Sequence, residues 1–200
     1  MDENAEFDEY SVELAEQYAK EYIGAHFSNE LEVVIKTAFK NKRYLPKLGY
    51  KKGSKINFKK YVTKWIDQYF KGYNNRPSVR KGKKSTTFPD QLSEIILKSR
   101  IKNLKEEDIS IRVSGHSILM TIENIVGDLL EEYLSIKLKD SEYYCCWGST
   151  IDAVDFCSIN GDLLQIKNSD NSENSSSSRV RSGTEIKKWF RRKSQKSSSQ

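Results

Sequence analysis

Between Tyr10 and Ile23 the apolar side chains recur three and four residues apart, with Tyr10, Leu14, Tyr18 and Tyr22 in one line and Ala15, Ala19 and Ile23 beside it. That spacing predicts an amphipathic helix, because residues three and four apart share one helical face. A second helix is predicted after Ser28, whose hydroxyl suits an N-cap, with Leu31, Val34, Ile35 and Phe39 inward. The third stripe is cleaner: Phe58, Tyr61, Val62, Trp65, Ile66, Tyr69 and Phe70 follow Asn57 as the cap. Aromatic stripes of this kind are core. From Lys71 to Thr87 the chain reads as a loop, with Gly72, Asn74, Asn75, Pro77 and Gly82 set among basic side chains. Pro89 then opens a short helix carrying Leu92, Ile95 and Ile96.

The second half has a different texture. Ile109, Ile111 and Val113 alternate as a strand, and Gly115–His116–Ser117 leads into an amphipathic helix of Ile118, Ile122, Ile125, Val126, Leu129, Leu130 and Tyr133. Strands are predicted from Tyr143 onward, with a turn at Asn160–Gly161 and a return strand through Leu163, Leu164 and Ile166. A last helix is expected near Gly183–Arg192. The order implies an α/β chain: a helical N-terminal part with a basic loop over 1–105, a mixed sheet flanked by helices over 106–192, and a polar tail over 193–200.

The 200 residues, 36% hydrophobic and 31% charged, are enough to bury a core, and 19 Tyr and Phe residues must supply much of it. No apolar run approaches the roughly 18 to 20 residues of a membrane-spanning helix. The acidic start (Asp2, Glu3, Glu6, Asp8, Glu9) is unlike a secretory or transit peptide, so a cytoplasmic protein is expected. Cys145, Cys146 and Cys157 have no metal-ligand spacing, and His26 and His116 do not complete one, so buried reduced thiols are expected.

Charge changes the picture most. The net +6 is the residue of four blocks: −9 over 1–35, +18 over 36–105, −10 over 106–178 and +7 over 179–200. Two basic blocks around an acidic one suggest a polyanion-binding surface beside a cation site, with solvated helix faces as the plain alternative.

Candidate chemistry lies in the hairpin, where Asp152-Ala-Val-Asp155-Phe runs into Asn160–Gly161 and the return strand carries Gln165-Ile-Lys167. Metal-dependent phosphodiester cleavage needs an acidic ligand, a second oxygen ligand and a lysine near the attacking water. Residues two apart on a strand share a face, so Gln165 and Lys167 point the same way. This is the arrangement of the PD-(D/E)xK nucleases, with glutamine in the second-ligand position. Turn geometry decides which aspartate joins them. A two-residue turn pairs 159 with 162 and puts Asp152 on that face. A three-residue loop with Gly161 in a bulge pairs 158 with 162 and sets Asp155 opposite Gln165. The bulged turn and Asp155 are preferred, because the nearer aspartate then needs no second irregularity; Asp152 is the alternative. Beyond Lys167, Asn168 to Ser178 is an unbroken polar run, including Ser169, Asp170, Asn171, Ser175, Ser176, Ser177 and Ser178. Such short side chains can contact phosphates and base edges, and Arg179 and Arg181 carry the fork that reads guanine. A flexible linker is the plain alternative.

Taken together, Asp155, Gln165-Ile-Lys167, the polar run, Arg179-Val-Arg181 and Lys188-Trp-Phe-Arg191 resemble the SinI-type restriction endonucleases over about forty residues. The resemblance implies a type II enzyme of a restriction–modification system, cleaving double-stranded DNA at a GGWCC-like palindrome with Mg²⁺. A homodimer would match the palindrome's symmetry, and a cognate DNA methyltransferase would protect the host's sites. Carried over, Asp155 and Gln165 become metal ligands and Lys167 the group that orients water or stabilises phosphate charge. Since glutamine removes a charge, Glu123 is the candidate additional carboxylate, with Glu173 and Asp152 as further alternatives. The nuclease core also demands a closing strand after the last helix, and none is legible beyond Phe190. Either the chain is truncated or Ile109–Val113 fills that place. The competing functions are a non-catalytic DNA-binding module, a repair or junction nuclease of the same superfamily, and a purely structural protein.

Overall fold

The computed structural model describes residues 6–51, 53–79, 115, 122, 125–168 and 183–191. The chain divides into two compact units, Met1–Arg76 with Glu131–Gln200, and Pro77–Leu130. In the second unit residues 125–130 are helical. The predicted Pro89 helix and Ile109–Val113 strand lie outside the described residues.

Three helices form one layer of the first unit. Helix α1 (Val12–Ile23) starts where Ser11 Oγ accepts the Leu14 amide at 3.0 Å and ends at Gly24, whose φ of +52° lies where a side chain is disfavoured. Helix α2 (Asn29–Lys40) is capped by Ser28 through the Leu31 amide, and α3 (Phe58–Asn74) by Asn57 through the Lys60 amide. Asp8 adds a second cap to α3, accepting the Phe58 amide at 2.8 Å. It is held there by strand β1 (Glu6–Phe7), parallel to β2 (Lys55–Ile56). The α3 stripe is buried as its periodicity predicts: Phe58, Tyr61, Val62, Trp65 and Ile66 are inaccessible to solvent. In α1 the buried line is Ala15 and Ala19, while Tyr22 is half exposed and donates to Asp67 on α3. Small residues there let the helices approach closely.

The second layer is a four-stranded sheet ordered β3–β4–β5–β6: Tyr143–Cys145, Phe156–Ser158, Leu163–Asn168 and Lys187–Arg191. The first three strands are antiparallel and β6 lies parallel to β5, so the sheet is mixed. One face, with Cys146, Cys157, Leu163 and Ile186, joins the helical core. All three cysteines are buried and reduced, as expected.

Two expectations are corrected. Helix α3 runs to Asn74, beyond the loop start expected at Lys71. Tyr73 stacks edge-on against Trp147, and Gly72 brings the helix against the 147–149 turn. The helix expected near Gly183–Arg192 is instead strand β6 over Lys187–Arg191. Its five-residue register beside β5 satisfies a backbone edge that would otherwise lie open, and that non-local gain outweighs the helical propensity of a Lys- and Arg-rich segment. The segment expected as that helix is thus a strand of the sheet beside β5.

Part of the charge segregation is consumed internally. Glu16 pairs with Lys36 at 3.4 Å and Glu21 with Lys59 at 2.8 Å, joining the acidic first block to the basic second one. Pairs this exposed contribute little to stability.

Two predictions follow from this packing. Propensity alone makes Gly72→Ala stabilising by about 1 kcal/mol. A Cβ at Gly72, however, would sit 2.2 Å from the Gly148 backbone nitrogen, so overpacking prevails and we expect a net loss of about 1–3 kcal/mol in urea denaturation. At the other end of the sheet, Lys187 on β6 donates to Asp162 beside the hairpin turn at 2.6 Å and holds its carboxyl below the usual range. A depressed folded-state pKa gives stability that is present above the unfolded value, about 3.9, and is lost as pH falls through the folded one. Asp162→Asn should therefore melt below wild type at pH 7, and the difference should vanish once Asp162 is protonated.

Candidate active site

The hairpin closes through the bulged turn. Phe156 pairs with Leu164 and Cys157 with Leu163, so the register places 158 opposite 162. Ser158 N–H donates to the Asp162 carbonyl at 3.0 Å, and Gly161 adopts φ +85°, a conformation open to glycine. A regular ladder extended by one step would set Asp155 opposite Gln165.

The ladder does not continue regularly, contrary to the expectation that Asp155 needs no second irregularity. In a regular strand the N–H and C=O of one residue point to the same neighbour. Asp155 instead sends its N–H to the Leu164 carbonyl on β5 (2.9 Å), while its C=O accepts the Cys146 amide beyond β3 (2.8 Å). The backbone is kinked here, just after Ala153 at φ +62°. The kink deprives Ile166 of a backbone acceptor, and the Asp155 carboxylate takes that role, with Oδ2 2.7 Å from the Ile166 nitrogen. Burial pushes the Asp155 carboxyl above its ordinary pKa, opposed by the Ile166 hydrogen bond and by the charge of Lys167. One carboxylate oxygen is thus fixed by β5, and the group is held close to the lysine of the same strand.

Gln165 is 6% exposed, and its Oε1 is a buried acceptor with no hydrogen-bond partner. Burying an amide oxygen unpaired is costly, and such an atom calls for a donor or a cation. Lys167 lies two residues on, on the same face and only partly covered. Across the parallel register Gln165 pairs with Lys188 and Lys167 with Phe190. Neither β6 residue was legible as a neighbour in sequence, because the pairing joins segments some twenty residues apart.

Asp152 sits elsewhere. Its N–H donates to the Tyr44 carbonyl at 2.8 Å, and burial raises its carboxyl, opposed by the charge of Lys47. Burial, and after it the charge of Asp152, raises the phenol pKa of Tyr61 on α3. The 151–153 turn thus ties Asp152 to the helical layer. Glu123, Glu173, Ser169, Asp170, Asn171, Ser175 to Ser178, Arg179 and Arg181 lie outside the described residues, and of Asn168 only the backbone, within β5, is described.

No group of three or more His, Cys, Asp or Glu side chains converges as a metal site among the described residues. What the hairpin offers is one buried carboxylate, at Asp155, and one orphaned amide oxygen, at Gln165. Both are hard oxygen donors, the class that magnesium accepts, so the residues present fit a divalent cation that keeps part of its water shell.

The comparisons agree with the resemblance noted in the sequence. The SinI restriction endonuclease family matches residues 11–200. The type II restriction enzyme Eco47I of Escherichia coli is 37% identical over 191 residues, 92% of this chain and 82% of that protein. The type II restriction enzyme SinI of Salmonella infantis is 35% identical over 197 residues, 94% of this chain and 83% of that protein. With the mixed sheet, the kinked hairpin and its oxygen donors in place, the chain belongs to the SinI restriction endonuclease family.

Proposed function

We propose that this protein is a Mg²⁺-dependent type II restriction endonuclease of the PD-(D/E)xK kind, cleaving double-stranded DNA at a short GGWCC-like palindrome. The observation that carries the reading is the orphaned, buried Gln165 Oε1, on the strand whose Ile166 amide holds the Asp155 carboxylate. Asp155 and Gln165 would be the residues to hold Mg²⁺, which when bound would supply Lewis-acid activation of water and of the phosphoryl oxygen. Asp155 provides one charged oxygen, and its orientation is set by the Ile166 amide. Gln165 provides a neutral oxygen on a side chain locked by burial. Lys167 donates to the attacking water or to the phosphate oxygens, where negative charge develops. Water attacks phosphorus, the bond to the 3′-oxygen breaks, and the products carry a 5′-phosphate and a 3′-hydroxyl.

Sequence reading falls to the segment after the lysine strand. Asn168, Ser169, Asp170, Asn171 and Ser175 to Ser178 offer short donors and acceptors, and Arg179 and Arg181 offer guanidinium forks for guanine. Glu123 is the candidate for an additional carboxylate. A homodimer would present two such sites with the symmetry of the palindrome, and a cognate methyltransferase would be the functional partner in the cytoplasm.

The decisive experiment is cleavage of plasmid DNA carrying GGWCC sites in Mg²⁺, where discrete fragments are expected and random nicking would refute site specificity. Asp155→Ala and Lys167→Ala should each lower the single-turnover rate by at least about 100-fold while leaving DNA binding in Ca²⁺ largely intact. The raised Asp155 pKa gives a further test. A folded-state value above the unfolded one means that stability is lost as pH rises through it, so above that value the ionised carboxyl is destabilising in EDTA. Asp155→Asn keeps an acceptor for Ile166 and should melt above wild type in EDTA, while Mg²⁺ should raise the melting temperature of wild type alone.

A further inference from the structure

We propose that the segment joining α2 to α3 forms a DNA-backbone clamp beside this site, in which Lys47, Lys51 and Lys64 contact phosphates flanking the scissile one; the inference rests on reading the hairpin as the nuclease centre. From Asn41 to Ile56 the chain holds six basic residues and no acidic one. Two other lysines of the same basic block are answered internally, Lys36 by Glu16 and Glu32, and Lys59 by Glu21. Lys47, Lys51 and Lys64 are exposed, and the Lys64 ammonium, on α3, lies 4.3 Å from the ring centroid of Tyr50. The Tyr50 ring packs 6.0 Å from that of Tyr61, whose hydroxyl donates to the Pro46 carbonyl at 2.6 Å. Lys47 and Lys51 flank this tyrosine in the chain, so the three lysines gather around one partly buried ring.

Position and stiffness both suit this role. The Asp152 N–H that donates to the Tyr44 carbonyl at 2.8 Å binds the start of the loop to the turn leading into Asp155, and the three residues between them span at most about 11 Å. Lys47 is close enough for its charge to act on the Asp152 carboxyl. With one phosphate per roughly 3.4 Å of axis on each strand, a duplex seated at Asp155 carries several phosphates across such a distance. The loop has a defined shape. Tyr50 N–H donates to the Lys47 carbonyl at 2.9 Å across a turn in which Leu48 has φ +48° and Gly49 φ +80°. A leucine is disfavoured in that left-handed region, and Leu48 is held there while packed against the core. Lys64 over the Tyr50 face is likewise restricted before DNA arrives, which lowers the entropy lost on binding. Lysine meets a phosphate as a point charge and reads no base, so the clamp adds affinity and orientation without sequence preference.

The test uses the full chain and two duplexes that differ only in whether they carry a GGWCC site. Kd is measured in Ca²⁺ between about 50 and 200 mM salt, cleavage in Mg²⁺, and folding by circular dichroism. Lys47→Ala, Lys51→Ala and Lys64→Ala should each reduce the steepness of log Kd against log salt by about 1, and the triple variant by about 3. Affinity should fall by the same factor on both duplexes, and arginine at the three positions should keep the wild-type slope. Lys59→Ala, whose charge is taken by Glu21, should keep it too. A triple variant with the wild-type slope overturns the proposal, as does a loss confined to the GGWCC duplex, which would mean base reading. Should the triple variant not fold, the slopes of the single variants decide in the same way. A wild-type protein that binds DNA but leaves it intact would sink the nuclease reading itself, whereas a cleaving wild type with unaltered slopes in the variants removes only the clamp.

Discussion

The contact between α3 and the 147–150 turn is the constraint from which the rest of the first unit follows. Two backbones meet there with no side chain between them, at Gly72 and Gly148. Beside that contact, the Trp65 indole donates to the Thr150 carbonyl at 2.9 Å and the Gln68 amide to the Gly148 carbonyl at 2.6 Å. These polar partners lie more than seventy residues apart in sequence, so the loop-closure entropy is considerable and apolar burial around Trp65 must offset it. Once the turn is seated, the positions of the residues after it are largely settled. Ile151 and Val154 enter the core, and Asp152 is bound through its backbone to Tyr44.

The kink at Asp155 follows directly. A chain leaving the α3 contact must join a sheet whose register is set from the other end by the Gly161 turn, and the mismatch is absorbed at one residue. The side chain at that residue is a carboxylate, which can accept the amide that the kink leaves without a backbone partner. An alanine there would leave the Ile166 N–H unsatisfied in a partly buried setting. Fold and chemistry thus use the same group: the hydrogen bond that repairs the sheet also orients the oxygen that suits a cation.

Glutamine rather than an acid at 165 changes the charge balance of this part of β5. With one carboxylate and a neutral amide, the described site is less negative than a pair of acids would be. The mixed topology matters here, because a parallel β6 brings a new set of side chains level with β5 from a distant segment.

The sequence by itself determined the three helices, their caps at Ser28 and Asn57, and the inward aromatic stripe of α3, because each rests on spacing and on capping within one turn. It also made the bulged turn legible, since Asn160–Gly161 and the alternation around it constrain the register locally. The Gln165–Lys167 pair was visible for the same reason, as two residues on one strand must share a face. Only the tertiary structure decided that Lys187–Arg191 is a strand, that Asp152 turns to the helical layer, and that Asp155 caps the Ile166 amide. Each of these depends on a partner far along the chain. A basic segment ending in Trp-Phe-Arg suits a helix or an edge strand about equally well, and the open edge of β5 makes the choice.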